Sequence, residues 1–226
     1  MKKVGILGGM GPVSTIYFYE QIIKTFQKRY GAIYHNDYPY IVILSIPIPD
    51  NVEELTQKDK MREELIKAAQ ILEKTGVDFI VMPCNTEHIF YEDIIEKISI
   101  PMLNIVDETL KEVEKEGYKR ALLFSTSSTI KYKLYEKKRG IALIKPSQEE
   151  QEVVDRIIYN LLAGKTLKKD AKRLAEIIKK YDVESVIVGC TELSLLFDLI
   201  GEIKDKEIFD STKILVKRTV KGIMVE

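Results

Sequence analysis

The chain has 226 residues, 45% of them hydrophobic and 31% charged, enough for one large core or two small ones at roughly 150 residues per domain. Its 35 basic residues balance 35 acidic ones, so it lacks the basic excess selected by nucleic acid or an anionic membrane surface. No apolar run approaches the ~20 residues of a membrane span, the start Met1-Lys2-Lys3 leads into too short an apolar stretch for a signal peptide, and two cysteines cannot form a disulfide framework; a cytoplasmic protein with reduced thiols is expected.

Short apolar runs alternate with amphipathic stretches. Val4-Gly5-Ile6-Leu7 predicts a buried strand that stops at Gly8-Gly9. Residues 14–30 predict a helix with Ile16, Tyr19, Ile22, Ile23 and Phe26 near helical spacing. A β-branched run over 40–46 predicts a second strand, ended by Pro47 and Pro49. Residues 60–74 read as a helix closed by Gly76. A strand over 78–82 then runs directly into Pro83-Cys84-Asn85-Thr86. Strand, loop and helix in repeating order predict an α/β fold with parallel strands covered on both faces.

The second half echoes the first. Lys119-Arg120-Ala121-Leu122-Leu123-Phe124 enters a small-residue loop, then Ser128-Thr129-Ile130 and Tyr135-Glu136. Its counterpart is Lys2-Lys3-Val4-Gly5-Ile6-Leu7, the glycine loop, Ser14-Thr15-Ile16 and Tyr19-Glu20. Likewise Val77 to Cys84 is matched by Val183 to Cys190, each placing a cysteine just past a strand. The expected organisation is two similar α/β halves, 1–110 carrying Cys84 and 111–226 carrying Cys190, with the C-terminal helix a candidate to cross back.

Ligands of open parallel sheets bind outside the carboxyl ends of the strands. Two halves facing each other would therefore aim both sulfurs into one cleft. Asn85-Thr86 and Thr191-Glu192 are expected to open helices, whose positive ends favour a thiolate. A buried thiol is by default a small hydrophobe; equivalent placement in both halves, beside polar neighbours, argues against that default here.

Gly8-Gly9-Met10-Gly11-Pro12, Pro83-Cys84-Asn85-Thr86-Glu87-His88 and Gly189-Cys190-Thr191-Glu192, in this order, resemble the aspartate/glutamate racemase superfamily, most closely its aspartate racemase branch. The resemblance spans essentially the whole chain. It implies two pseudo-symmetric α/β domains with the active site between them, and cofactor-independent inversion at an amino-acid α-carbon. Cys84 and Cys190 match the catalytic pair. Asn85, Thr86 and Thr191 match positions that hold the substrate's α-amino and α-carboxylate groups, and Met10 matches a residue lining the pocket. A homodimer is also implied, and the aromatic content of Tyr17, Phe18 and Tyr30 exceeds what one buried face needs. The two-thiol chemistry has its own logic. Inversion needs a base on one face of Cα and an acid on the other, roles that a thiolate and a thiol can exchange. It requires neither PLP nor a metal.

Other features have plainer readings. The glycine loop lacks the spacing of a nucleotide cradle. His88 is expected as a polar support, since two His and two Cys without zinc spacing make no metal site, and His35 is expected at the surface. Thr126 and Thr129, in the counterpart of the glycine loop, are expected to line the cleft. Two departures bear on the substrate. In Pro47-Ile48-Pro49-Asp50-Asn51-Val52 the family's arginine position holds Asn51, and near Leu161-Leu162-Ala163-Gly164 the expected lysine is absent, leaving Lys165 as a candidate binder. Glu87 stands where a small residue is common. Aspartate or glutamate is the expected substrate, with weaker discrimination than a two-cation pocket would give. The alternatives are a hydantoin racemase, a maleate isomerase, a decarboxylase, a non-catalytic binding protein or a dithiol redox protein; the last lacks a Cys-x-x-Cys.

Overall fold

The computed structural model describes residues 1–49, 51–136, 140–165 and 168–225, so Asp50 of the proline segment lies outside the described residues. The first part runs β1 (Val4–Gly8), α1 (Pro12–Tyr30), β2 (Ile41–Ser45), α2 (Lys58–Lys74), β3 (Phe79–Val81), α3 (Tyr91–Ile95), β4 (Met102–Leu103) and α4 (Ile105–Lys115). The second runs β5 (Arg120–Phe124), α5 (Ser127–Lys131), β6 (Ala142–Ile144), α6 (Gln148–Leu162), α7 (Lys168–Lys179), β7 (Ser185–Val188), α8 (Ser194–Ile200), β8 (Glu207–Asp210) and α9 (Ser211–Met224).

Among the described residues the strands form two parallel four-stranded sheets, ordered β2-β1-β3-β4 and β6-β5-β7-β8. The orders are equivalent, so the duplication read from the sequence is a duplication of topology. Alternate side chains of each strand feed different cores. Ile6 and Val81 face inward with Leu123 and Ile187 of the other sheet, and α1 and α9 contribute Phe18, Ile22, Leu215 and Ile223 to this shared layer. Leu7, Ile80 and Met82 pack outward against Met61, Leu65 and Leu72 of α2. Leu122, Phe124, Val186 and Val188 do the same against Ile158, Leu174 and Ile178 of α6 and α7. Burial on both faces explains why these strands read as continuous apolar runs.

The C-terminal helix crosses back. α9 leaves β8 and packs on α1 and α4, and the Lys2 N–H donates to the Ile223 carbonyl at 2.8 Å. Glu112 of α4 accepts from Lys217 (2.7 Å) and Arg218 (2.8 Å) of α9. The division expected at 110/111 falls within α4.

Two local expectations are corrected. On α1 the buried side chains are Ser14, Thr15, Tyr17, Phe18, Ile22 and Phe26, whereas Ile16 is 68% and Tyr19 40% exposed. The helix lies between a sheet and α9, which rotates the buried stripe away from the simple apolar spacing. Tyr17 and Phe18 are thus used inside their own chain and offer no surface to a second copy. The second-half counterpart of α1 shrinks to the five residues of α5, and Lys133 beyond it takes a positive φ of 55°.

Candidate active site

Both cysteines lie just past the carboxyl ends of equivalent strands, β3 and β7. Each of these strands neighbours the first strand of its half, so each cysteine sits where the chain reverses its direction of travel across the sheet. That is the crevice position of parallel sheets. One cavity is lined by Met10, Gly11, Asn51, Val52, Cys84, Asn85, Thr86, Thr126, Ile158, Leu162, Cys190, Thr191 and Glu192. Every segment meeting there is tied to another. The Asn85 amide donates to Ser211 Oγ (3.0 Å) and accepts from the Tyr135 hydroxyl (2.6 Å). Thr86 Oγ1 lies 3.0 Å from both Thr126 Oγ1 and Thr129 Oγ1, and Thr126 caps α5 by accepting from the Thr129 N–H at 3.1 Å. Hydroxyls from both sheets' loops therefore form one cluster on the cavity wall.

The glycine loop reaches the cavity through its own contacts. Gly9, at φ +101°, lies so close to Ile46 that a Cβ would stand 2.2 Å from that carbonyl oxygen, which excludes other residues from the turn. Beyond it, the Gly11 N–H and the Ser14 hydroxyl donate to Glu192 Oε1 at 3.0 and 2.8 Å. These bonds join the first loop of one sheet to the cysteine turn of the other.

Each thiol meets a buried carboxylate. Cys84 Sγ donates to Glu87 Oε2, and Cys190 Sγ to Glu192 Oε2 at 3.2 Å. Backbone N–H groups reach the sulfurs as expected, from Glu87 to Cys84 and from Glu192 and Leu193 to Cys190, and favour the thiolate, but they do not set the balance. Thr86–Phe90 is a 3-10 turn before α3, and residues 191–193 are turn before α8. Burial pushes the Cys84 thiol well up, with the Glu87 and Glu192 carboxylates adding to the effect. Burial and Glu192 do the same to Cys190. Desolvation and a neighbouring anion both disfavour the charged sulfur and outweigh the short helix ends.

His88 is a clamp. Its Nε2 accepts from the Ile105 N–H (3.3 Å), so the proton belongs on Nδ1, which lies 2.6 Å from the Cys84 carbonyl. The ring also stacks on Tyr91. The support role expected for His88 is the one its contacts describe.

Of the site residues expected from the sequence, Met10, Asn51, Cys84, Asn85, Thr86, Thr126, Cys190 and Thr191 share this cavity, and Thr129 stands behind it through Thr86 and Thr126. Lys165 is exposed beyond the end of α6 and does not line it. Ile158 and Leu162, one helical turn apart on α6, come to the wall unannounced by any motif. The two carboxylates were legible as acidic residues within three positions of each cysteine, Glu87 as a departure from the family pattern and Glu192 as part of a helix start, but neither as a partner of a thiol.

A family model described as Asp/Glu/Hydantoin racemase matches residues 7–219. The chain belongs to this family. It is 36% identical over 227 residues to the "Broad specificity amino-acid racemase RacX" of Bacillus subtilis (strain 168), covering 96% of each chain. Its fold matches an aspartate racemase homologue from Pyrococcus horikoshii OT3 with a TM-score of 0.80, at 31% identity over 100% of both chains. It also matches the aspartate racemase of Picrophilus torridus, with a TM-score of 0.83 at 27% identity, over 99% of this chain and 95% of that one. The resemblance carried by the glycine loop and the two cysteine motifs is therefore correct, as is the fold of paired α/β sheets it implied.

Proposed function

We propose that the chain racemises free amino acids by proton transfer between Cys84 and Cys190, with a pocket that does not favour a second carboxylate. One observation carries the reading: the two thiols reach a single cavity from equivalent strand ends in topologically equivalent sheets. As a thiolate, one cysteine takes the Cα proton; the thiol on the opposite side donates its own proton to the other face of the carbanion. The substrate is inverted, and the two sulfurs have exchanged protonation states, ready for the opposite enantiomer.

Thr86, Thr126 and Thr191 supply hydroxyl donors for the α-carboxylate, whose neutralisation stabilises the carbanion. The α-ammonium fits beside the Glu87 and Glu192 carboxylates. Its positive charge also offsets the anions that hold the thiols protonated, so binding itself promotes thiolate formation. Among the described residues no Lys or Arg lines the cavity, while Val52, Ile158 and Leu162 are apolar. A side-chain carboxylate would face two anions without a cation. This favours uncharged side chains over aspartate and glutamate. The free volume of about 20 Å³ holds roughly one water, so the walls must part to admit substrate. The reading includes a cytoplasmic homodimer with small-molecule amino acids as its partners.

The test is Cα-proton loss from a panel of L- and D-amino acids in D₂O, followed by NMR. Exchange with uncharged amino acids, unchanged by added PLP or EDTA, is expected. Cys84→Ala and Cys190→Ala should each abolish racemisation with little loss of stability. Full activity of either folded variant, or no exchange across the panel with reduced wild type, would end the two-thiol reading.

A further inference from the structure

We infer that Glu87 is the resident proton acceptor of Cys84, making that side of the site a thiol–carboxylate pair. The inference rests on the two-thiol reading above. Glu87 follows Cys84 by three residues, and Thr86–Phe90 is a 3-10 turn. Cys84 lies two residues before that turn and Glu87 is the turn's second residue, and the turn returns the Glu87 carboxylate to Cys84 Sγ. The turn is fixed by His88, whose N–H donates to the Asn85 carbonyl at 3.1 Å and whose ring holds the Cys84 carbonyl and the Ile105 N–H. Glu87 is fully buried. Burying a carboxylate costs several kcal/mol, and the Cys84 thiol donates to its Oε2.

The other carboxylate serves differently. Glu192 also faces a thiol, but it accepts from the Gly11 N–H, the Ser14 hydroxyl and, at 3.2 Å, the Thr191 hydroxyl. With these donors on it, Glu192 locks the loops together. The titratable groups facing Cys84 are Glu87 from its own turn and Glu192 from the turn after β7. Behind them stand His88, engaged with backbone, and Tyr135, whose hydroxyl is committed to Asn85. Loss of the Cys84 proton to bulk water is opposed by burial and by both anions, whereas transfer to Glu87 leaves the pair's charge unchanged.

The protons balance. At rest Cys84 and Cys190 are thiols and Glu87 is ionised. The Cys84 proton moves to Glu87, and the thiolate takes the Cα proton and becomes a thiol again. Cys190 protonates the opposite face and is left as thiolate, with Glu87 carrying one proton. The net charge is the same throughout. Either the opposite enantiomer runs the steps backward, or solvent returns the Glu87 proton to Cys190 after product leaves.

The experiment compares wild type with Glu87→Gln, which keeps the shape and accepts a hydrogen bond but cannot take the proton. Racemisation should fall about 100-fold in both directions, the scale of general-base catalysis. The directions must fall together, because the two enantiomers are equally stable. The pH profile is the decisive readout. Wild type should be flat through neutral pH, since one proton stays on the pair. The variant should gain about tenfold per pH unit on the alkaline side until the thiol ionises. The isotope effect of an α-deuterium should rise for one enantiomer only. Wild-type rates in the variant, or a loss of rate with a flat profile, would overturn the inference. If Glu87→Gln does not fold, the wild-type profile decides: a tenfold rise per unit through neutrality would mean that Cys84 releases its proton to solvent, also against it. Failure of the two-thiol reading is distinguishable, since wild type itself would then show no Cα exchange.

Discussion

Gly11 tests whether the cavity wall is built by contact between the two sheets' elements. It caps α1 at φ −95° and ψ 170°, a conformation any residue adopts, so Gly11→Ala acts through space alone. The new Cβ would stand 2.7 Å from Leu162 Cδ2 and 3.2 Å from Glu192 Oε1. The first distance is a clash with the far end of a half-buried leucine that also lines the cavity, so the leucine must shift. Overpacking of this kind costs ~1–3 kcal/mol; taking about 2, the melting temperature should fall by roughly 4–8 °C for a chain of this size. Racemisation should fall further, because the displaced leucine lines the substrate's space. Leu162→Ala alone, at a half-buried position, should cost about 2 kcal/mol, the low end for leucine truncation. The double variant removes the clash, so its loss should resemble that of Leu162→Ala alone, a coupling of about −2 kcal/mol, with part of the activity restored. Urea unfolding of all four proteins and their racemisation rates provide the assay. Additivity within about 0.5 kcal/mol, with no recovery of activity, would refute the contact.

Three further outcomes are expected. Asn51→Arg places a cation on the cavity wall, and a charge-assisted bond of ~1.5–3 kcal/mol should raise kcat/KM for aspartate about tenfold or more over alanine; an equal change for both substrates would refute the pocket's charge logic. Burial alone would raise the Glu150 carboxyl, yet Lys180 Nζ at 2.8 Å, the Tyr181 hydroxyl and the Ser147 N–H hold it down at about 2 from the usual 4.5. Its contribution is therefore present above pH 4.5 and lost as pH falls toward 2, so Glu150→Gln should lower the urea midpoint at pH 6 and flatten its acid decline; an unchanged decline would count against this. Light scattering at micromolar concentration should give twice the 26.0 kDa chain mass, and a monomer would refute the dimer.

Local chemistry was legible in the sequence. Strands buried on both faces leave unbroken apolar runs, so the parallel α/β class, the duplication, and the placement of Cys84 and Cys190 beyond equivalent strands followed from residue order alone. The glycine loop was equally readable, because a turn such as Gly9's admits only glycine wherever it occurs. What packs against what was not legible. The buried stripe of α1 passes through Tyr17 and Phe18 rather than Ile16 and Tyr19 because a sheet and α9, nearly 200 residues later, compete for that helix. Leu162 reaches the pocket only because α6 covers the second sheet, and Glu192 meets Gly11 and Ser14 across 181 and 178 positions. The protonation of the cysteines depended most on tertiary structure. Helix termini, which the sequence shows, favour a thiolate; exclusion of water and the approach of Glu192 to Cys84, which only the closed fold brings about, add to the local carboxylates and reverse that preference, because desolvation and a neighbouring anion act on the same charge and in the same direction.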